Sequence, residues 1–227
     1  MKLSFIIPVL NEAGNITTVL QSLQPIRRAE HELIVVDGGS IDGTKDLAMP
    51  LADVVLSSSK GRARQMNQGA AEATGDILVF LHADTSLPAQ ATQLIIDALS
   101  KGDRHWGRFD VSLPGKGGMF KVIAWFMNLR SRLTGIVTGD QCLFVKHEAF
   151  KQIGGFPDIP LMEDISISTR LKKLSRPVCL KARVSTSNRR WQEQGILRTI
   201  LLMWYLRASY FFGRPAEQLV KIYYRNP

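Results

Sequence analysis

V-V-D-G-G-S-I-D-G-T, residues 35–44, decides the fold. The apolar run Leu33–Val36 reads as a strand buried on both faces, and it ends at a carboxylate, Asp37, followed by Gly38 and Gly39. Working outward, F-I-I-P-V-L-N-E at 5–12 is a second such unit, and I-L-V-F-L-H-A-D-T at 77–85 is a third. M-E-D follows at 162–164. Ligands of open α/β sheets sit beyond the carboxyl ends of the strands. Carboxylates at successive strand ends therefore point to a nucleotide and metal site on one rim.

The spacing between these runs is helical. The sequence predicts strands over Leu3–Val9, Leu33–Val36, Val54–Leu56 and Ile77–Leu81. Helices are predicted from Asn11-Glu12 through Leu23, from Asp42-Gly43-Thr44 onward, over Gly61–Ala73 and over Pro88–Leu99. This β-α-β-α alternation implies a mostly parallel central sheet flanked by helices. After residue 105 the rhythm changes. Strands are expected over Trp106–Leu113, Gln141–Val145 and Val178–Ala182, and helices over Met119–Leu133, Glu148–Ile153 and Ile165–Leu174. Two C-terminal helices, 195–212 and 215–224, are separated by Gly213-Arg214-Pro215.

The 227 residues fit one domain, and 45% hydrophobic content gives a substantial core. The formal charge is +9, with 7 Lys/Arg against 11 Asp/Glu in residues 1–100 and 22 against 9 thereafter, so the basicity belongs to the second half. A phosphorylated substrate, an anionic membrane surface or nucleic acid would each suit such a surface. No basic helix or aromatic platform of a known nucleic-acid reader is present, so no nucleic-acid partner is expected. Cys142 and Cys179 lack metal spacing and read as buried thiols in a reducing cytosol. Met1-Lys2 leads straight into a strand, with no signal peptide visible. The longest late apolar run, Thr199–Leu206 between Arg198 and Arg207, falls short of the roughly 20 residues that span a bilayer.

Asp37 beside two glycines could accept hydrogen bonds from a base or a ribose; as a bland alternative it is a turn aspartate, with Ser40 and Asp42 as turn or cap residues. Asp84 could bind a hard divalent cation that bridges a diphosphate, and His82 shares its side of the strand if the strand continues. Glu163 or Asp164 could serve as a general base or simply stabilise a helix start. Arg62 and Arg64 offer guanidinium groups, and Asn188-Arg189-Arg190-Trp191 offers a fork and an aromatic plate.

Taken in order, P-V-L-N-E (8–12), V-V-D-G-G-S-x-D-G-T (35–44), N-x-G (67–69), H-A-D (82–84), I-G-G-F (153–156) and M-E-D (162–164) resemble the inverting family 2 glycosyltransferases with a GT-A fold. The likeness runs from about residue 3 to 191, and the N-R-R-W stretch and short C-terminal helices resemble a bacterial subgroup of small single-domain members. It implies a GT-A domain over 1–191 and a helical extension over 192–227 packed on it. It implies that Pro8, Glu12, Asp37 and Gly38 hold the nucleoside, with Arg62, Arg64 and His82 assisting. Asp84 would bind Mn²⁺ or Mg²⁺, and Asp164 would be the catalytic base. Asp140, Gln141, Glu163, Arg190 and Trp191 would line the acceptor and diphosphate pocket. His82 stands where the family usually has an aspartate on the ribose, and Gln is absent upstream of Arg190-Trp191.

The implied reaction moves a sugar from a UDP- or GDP-sugar to a hydroxyl acceptor, which is lipid-linked in one version of this reading. Two alternatives are a sugar-nucleotidyltransferase, whose Gly-rich opening loop residues 5–12 lack, and a non-catalytic membrane- or nucleotide-binding protein. Met119-Phe120, Trp125-Phe126, Trp204-Tyr205 and Tyr210-Phe211-Phe212 read first as core residues. The competing expectation is that helices 119–133 and 196–212 meet an anionic bilayer, placing a cytoplasmic enzyme on the inner face of the cell membrane.

Overall fold

Strand β1 (Leu3–Val9) sends its odd residues Leu3, Phe5, Ile7 and Val9 into one core and Ile6 into another. The period of two repeats this division in β2 (Glu32–Asp37) and β4 (Ile77–Phe80): Leu33, Val35, Ile77 and Val79 lie on one face, Ile34, Val36, Leu78 and Phe80 on the other. A strand buried on both faces needs helices on both. The structure, a computed structural model, describes residues 1–115, 118–188 and 195–225.

The first face is covered by α1 (Ile16–Ser22), α3 (Thr44–Ala48), α5 (Ala91–Ser100) and α6 (Gly118–Thr134). The second is covered by α4 (Arg62–Glu72), α7 (His147–Gln152) and α8 (Glu163–Leu171). Gly69 lets α4 lie close on the sheet, since a Cβ there would fall 2.5 Å from Ile6 Cγ2. A short α2 (Gln24–Arg28), opened by Pro25, links α1 to β2 and was not foreseen.

The sheet has eight strands in the order β3-β2-β1-β4-β7-β6-β8-β5, where β3 is Val54–Ser57, β5 Thr85–Ser86, β6 Trp106–Ser112, β7 Leu143–Lys146 and β8 Val178–Thr186. Four pairings are parallel, as expected, and three are antiparallel: β4 with β7, β6 with β7 and β5 with β8. The antiparallel β7 has a consequence for the site. Leu143, at its start, pairs with Phe80, at the end of β4. The turn before β7, a 3₁₀ turn over Gly139–Gln141, is thereby delivered to the carboxyl rim.

The first helix starts later than expected, at Ile16 rather than Asn11. Residues 11–13 are engaged elsewhere: Asn11 N donates to Ser40 Oγ, Glu12 N to Thr44 Oγ1 and Ala13 N to Asp42 Oδ2, while Ile41 N donates to Asn11 Oδ1. Asn11 adopts φ +54°, which a short polar side chain tolerates and a helix does not.

The last two helices are α9 (Ile196–Phe211) and α10 (Ala216–Arg225). Ile196 and Ile200 pack on the first core, and Leu206 joins Leu219 and Met162 in a small third cluster. The aromatic runs read as core divide here. Phe120 is buried, but Met119, Trp125 and Phe126 on α6, and Trp204, Tyr205 and Phe211 with the adjoining Phe212 at the end of α9, are exposed. Each helix has one face to bury, and the fold leaves the other uncovered among the described residues. Cys142 is buried, whereas Cys179 is only partly so. Among the described residues no helix is long and apolar enough to cross a membrane.

Candidate active site

Two loops build the first edge of the rim. Gln65 of α4 donates through Nε2 to both Val9 O and Val36 O, at 2.8 Å each, and so ties together the ends of β1 and β2. Gly38 lies against this amide, with a Cβ position 3.0 Å from it. Asp37 is buried and accepts from Gly39 N, Ser40 N and Ser40 Oγ. Asp37 thus fixes the turn. Pro8 is partly exposed one residue before the end of β1, and Glu12 Oε2 accepts from Asn15 Nδ2.

The deeper part of the rim joins β4, the Gly139–Gln141 turn and α8. His82 follows β4, and its ring lies against Gly139. Gly139 N donates to Asp164 Oδ2 at 3.3 Å, and Ile165 N donates to Oδ1 of the same carboxylate at 2.8 Å. Met162, at φ +70°, turns the chain so that α8 opens with Glu163 and Asp164. The approach to α8 is fixed by Asn67, whose amide bonds Phe156 N and O at 2.9 and 2.8 Å. The stretches 67–69 and 153–156 thus position the Glu163–Asp164 corner. His82, Gly139, Glu163 and Asp164 line a pocket of about 20 Å³ with Met66, Phe80 and Phe156. That is room for little more than a water, so a ligand the size of a nucleotide sugar would lie across its mouth. A roomier hollow, beside Lys2, Arg27 and Glu32, opens at the opposite, amino-terminal end of β1 and β2.

Burial dominates the electrostatics. It raises Glu163 to about 7, with neighbouring Asp164 adding and Arg62 opposing. It also raises Asp164, against the opposition of Arg207 and the two backbone N–H groups. Burial and then Arg62 depress His82 to about 4, against Asp84, so the imidazole is neutral near pH 7. Arg62 has solvent access but stands among protein on the concave rim. Desolvation works against its charge, yet Glu163, Asp140 and Asp164 together hold the guanidinium firmly protonated.

Asp84 is exposed, and its carboxylate accepts from Thr85 Oγ1 at 3.3 Å. Among the described residues no group of three or more His, Cys, Asp or Glu side chains could cage a metal ion. One open carboxylate fits Mg²⁺ or Mn²⁺ arriving with phosphate oxygens, because these ions keep several waters and use one or two protein carboxylates. It does not fit a resident ion held by protein alone.

Residues 4–153 match the profile of glycosyl transferase family 2. The chain belongs to glycosyl transferase family 2. Among its relatives is glycosyltransferase AglE of Haloferax volcanii, 28% identical over 169 residues, which cover 68% of this chain and 56% of AglE. Among solved structures, mannosyltransferase PcManGT of Pyrobaculum calidifontis, in complex with GDP-Man and Mn²⁺, superposes with TM-score 0.65 and 22% identity, covering 92% of this chain and 61% of PcManGT. TarS of S. aureus with UDP-GlcNAc gives TM-score 0.66 at 18% identity, over 82% of this chain and 58% of that one. The chain thus spans little more than half the length of these proteins, and the fold is the GT-A fold that the motifs implied.

In this family 2 member the structure brings Arg62, His82, Asp140, Glu163 and Asp164 into one electrostatic neighbourhood. It separates the two arginines of α4: Arg64 is exposed and pairs with Asp158 at 2.8 Å. Gln141 does not reach the cleft as expected. It is fully buried, with Oε1 accepting from Thr138 N and Nε2 donating to Asn128 Oδ1, so it shapes the turn from beneath. Arg190 and Trp191 lie outside the described residues. Two residues not foreseen also act on Asp164: Arg130 of α6 and Arg207 of α9. A period signal marks both. Arg130 follows Ile123 and Met127 at helical spacing, and Arg207 follows Thr199 and Met203, so each stands on a stripe that otherwise faces inward.

Proposed function

We propose that this chain is an inverting glycosyltransferase that moves a sugar from a nucleotide-diphosphate sugar to a hydroxyl acceptor. The observation that carries this reading is Asp164. Its carboxylate is oriented by the Gly139 and Ile165 N–H groups, sits beside His82 and Arg62 at the carboxyl rim, and has a raised pKa suited to accepting a proton.

In this mechanism the nucleoside rests on the edge made by Pro8, Glu12, Asp37 and Gly38, and His82, neutral, hydrogen-bonds a sugar or ribose hydroxyl. Asp84 would hold a divalent cation, Mn²⁺ or Mg²⁺, whose charge would offset that of the diphosphate. Arg62 remains charged beside the departing diphosphate. The acceptor oxygen attacks the anomeric carbon from the face opposite the diphosphate, and Asp164 takes its proton. The new C–O bond forms as the anomeric carbon–phosphate oxygen bond breaks, and the nucleoside diphosphate leaves with the electron pair.

The complexes of PcManGT with GDP-Man and of TarS with UDP-GlcNAc support a GDP- or UDP-sugar donor. The uncovered aromatic faces of α6 and α9, with Lys121, Arg132, Arg198 and Arg214 nearby in sequence, support a peripheral site on an anionic bilayer and a lipid-linked acceptor.

A thermal-shift screen of UDP-, GDP-, CDP- and dTDP-sugars with and without Mn²⁺ tests the donor reading. A metal-dependent stabilisation by one nucleotide class, lost in Asp84→Ala, is expected. Folded protein that responds to none of them would remove the transferase reading.

A further inference from the structure

Arg130 presents a problem that the donor reaction leaves unsolved. Its Nε and Nη2 are buried and have no hydrogen-bond partner. A buried guanidinium without partners is costly, because it loses hydration and gains no bonds in return. Among the described residues, neither Arg130 nor Arg207 forms an ion pair. The nearby Asp110 is already taken by Arg108 and Arg132. Arg207 instead adds to the cost at Arg130: burial, and after it the charge of Arg207, lowers Arg130 to about 10. Asp140 and Asp164 attract both from a distance.

The place of the pair in the fold says which ligand it faces. The donor edge runs over β2, β1 and β4, through Asp37, His82 and Asp84. Arg130 belongs to α6, whose Asn128 side chain is bonded to Val111 N and O of β6, two strands beyond β4 in the sheet. Arg207 follows Leu206, which packs with Met162 and Ile165 on either side of Glu163–Asp164. The two arginines therefore stand across Asp164 from the donor edge. An acceptor must lie there if it is to attack opposite the diphosphate.

We propose that Arg130 and Arg207 form an anion site for the acceptor, and that the acceptor carries a phosphate-type group near its attacking hydroxyl. This rests on the transferase reading. Two guanidinium groups converging from different helices match the tetrahedral oxygens of a phosphate monoester or diester, and the anion supplies the partner that Arg130 lacks. The phosphate can belong to a soluble compound or to a lipid headgroup.

Calorimetric titration tests this on the whole chain, with and without saturating UDP or GDP and Mn²⁺. The soluble probe is glycerol 3-phosphate, with glycerol as the neutral control. The lipid probe is phosphatidylcholine vesicles with and without phosphatidic acid. The expected result is saturable binding of at least one phosphate probe that persists with the nucleotide bound, is absent for glycerol, and weakens about tenfold or more in Arg207→Gln and Arg130→Gln. Arg207 has solvent access, so its variant keeps the test meaningful if Arg130→Gln folds poorly. Binding by glycerol 3-phosphate assigns a soluble acceptor; arginine-dependent binding by phosphatidic acid alone assigns a lipid one. The proposal is overturned if folded protein binds neither probe, if the phosphate competes with the nucleotide, or if both variants bind as the parent does. Failure of the transferase reading is seen separately, as absence of nucleotide binding in the same titrations.

Discussion

Gly139 lies so close to the imidazole of His82 that a Cβ at 139 would fall 2.3 Å from Cε1 and 2.5 Å from Nε2. The same glycine donates its N–H to Asp164. One residue therefore sets both the donor-side histidine and the proposed base. The imidazole is the partner that must move, so Gly139→Ala is expected to cost about 1–3 kcal/mol of stability while swinging His82 out of the cleft. Donor affinity should fall about tenfold. In a His82→Ala background the alanine at 139 should add nothing, a coupling that a double-mutant cycle of donor binding measures. Additive effects would show that the contact is incidental.

Asp164→Asn keeps the shape of the side chain and removes the proton acceptor. A loss of kcat of about 10²- to 10⁴-fold is expected, with donor affinity little changed. In the parent, kcat should rise with pH on the acid side, because the base works deprotonated. The midpoint of that rise should lie above the ordinary aspartate range, since burial raises this carboxyl. A midpoint at the ordinary aspartate value would assign the proton transfer elsewhere.

Glu163 makes stability depend on pH in a definite direction. Its folded pKa, about 7, exceeds the ordinary value of 4.5, so the folded state binds more protons between these values. The contribution is fully present below the unfolded value and is lost as pH rises through about 7. Glu163→Gln should therefore be more stable than the parent at pH 8, and the gap should narrow as the pH is lowered below 4.5. Urea unfolding at the two ends of this window checks the sign.

The lone open carboxylate at Asp84 predicts an order of assembly. Mn²⁺ alone should show no saturable binding, whereas Mn²⁺ with UDP or GDP should bind together. Asp84→Asn should weaken the pair and leave the metal-free nucleotide nearly unaffected. Paramagnetic broadening of the nucleotide signals, or calorimetry, distinguishes this from a preformed metal site.

Trp204 is 68% exposed and Phe211 84% exposed. Replacing both with serine should leave the melting temperature near its parental value, since neither contributes to the core. Co-sedimentation with anionic vesicles should drop several-fold, and raising the salt concentration should release the parent protein as well. Unchanged sedimentation would assign these aromatics another role.

Much of the sheet was readable because burial on both faces leaves a continuous apolar run, as in Phe5–Val9 and Leu33–Val36. The rim positions of Asp37 and Asp84 were readable because each follows such a run, whereas Asp164 lies in the first turn of a helix and stands out only as half of a Glu-Asp pair. The arginines were harder. In α4 the sequence offers Arg62 and Arg64 alike, and only the helix's rotation against the sheet turns one toward Glu163 and the other toward Asp158. Arg130 and Arg207 share the helical spacing of inward-facing neighbours, but what they face is seen only once α9 is packed beside Met162. The antiparallel β7 was unreadable for a similar reason: its direction is set by pairing with β4 and β6, not by its own four residues. Gln141 was misjudged because a polar residue in a turn invites a surface role, whereas here it is the buried peg of a capping box.

The bonds that lace Asn11, Glu12 and Ala13 to Ser40, Asp42 and Thr44 have a kinetic consequence. An edge already laced together loses little conformational freedom when a nucleoside settles on it. Capture of the donor should therefore be a single fast step, its observed rate rising in proportion to nucleotide concentration without reaching a plateau. Any slow, saturating phase in stopped-flow traces would then report what happens afterwards, on the acceptor side of the molecule.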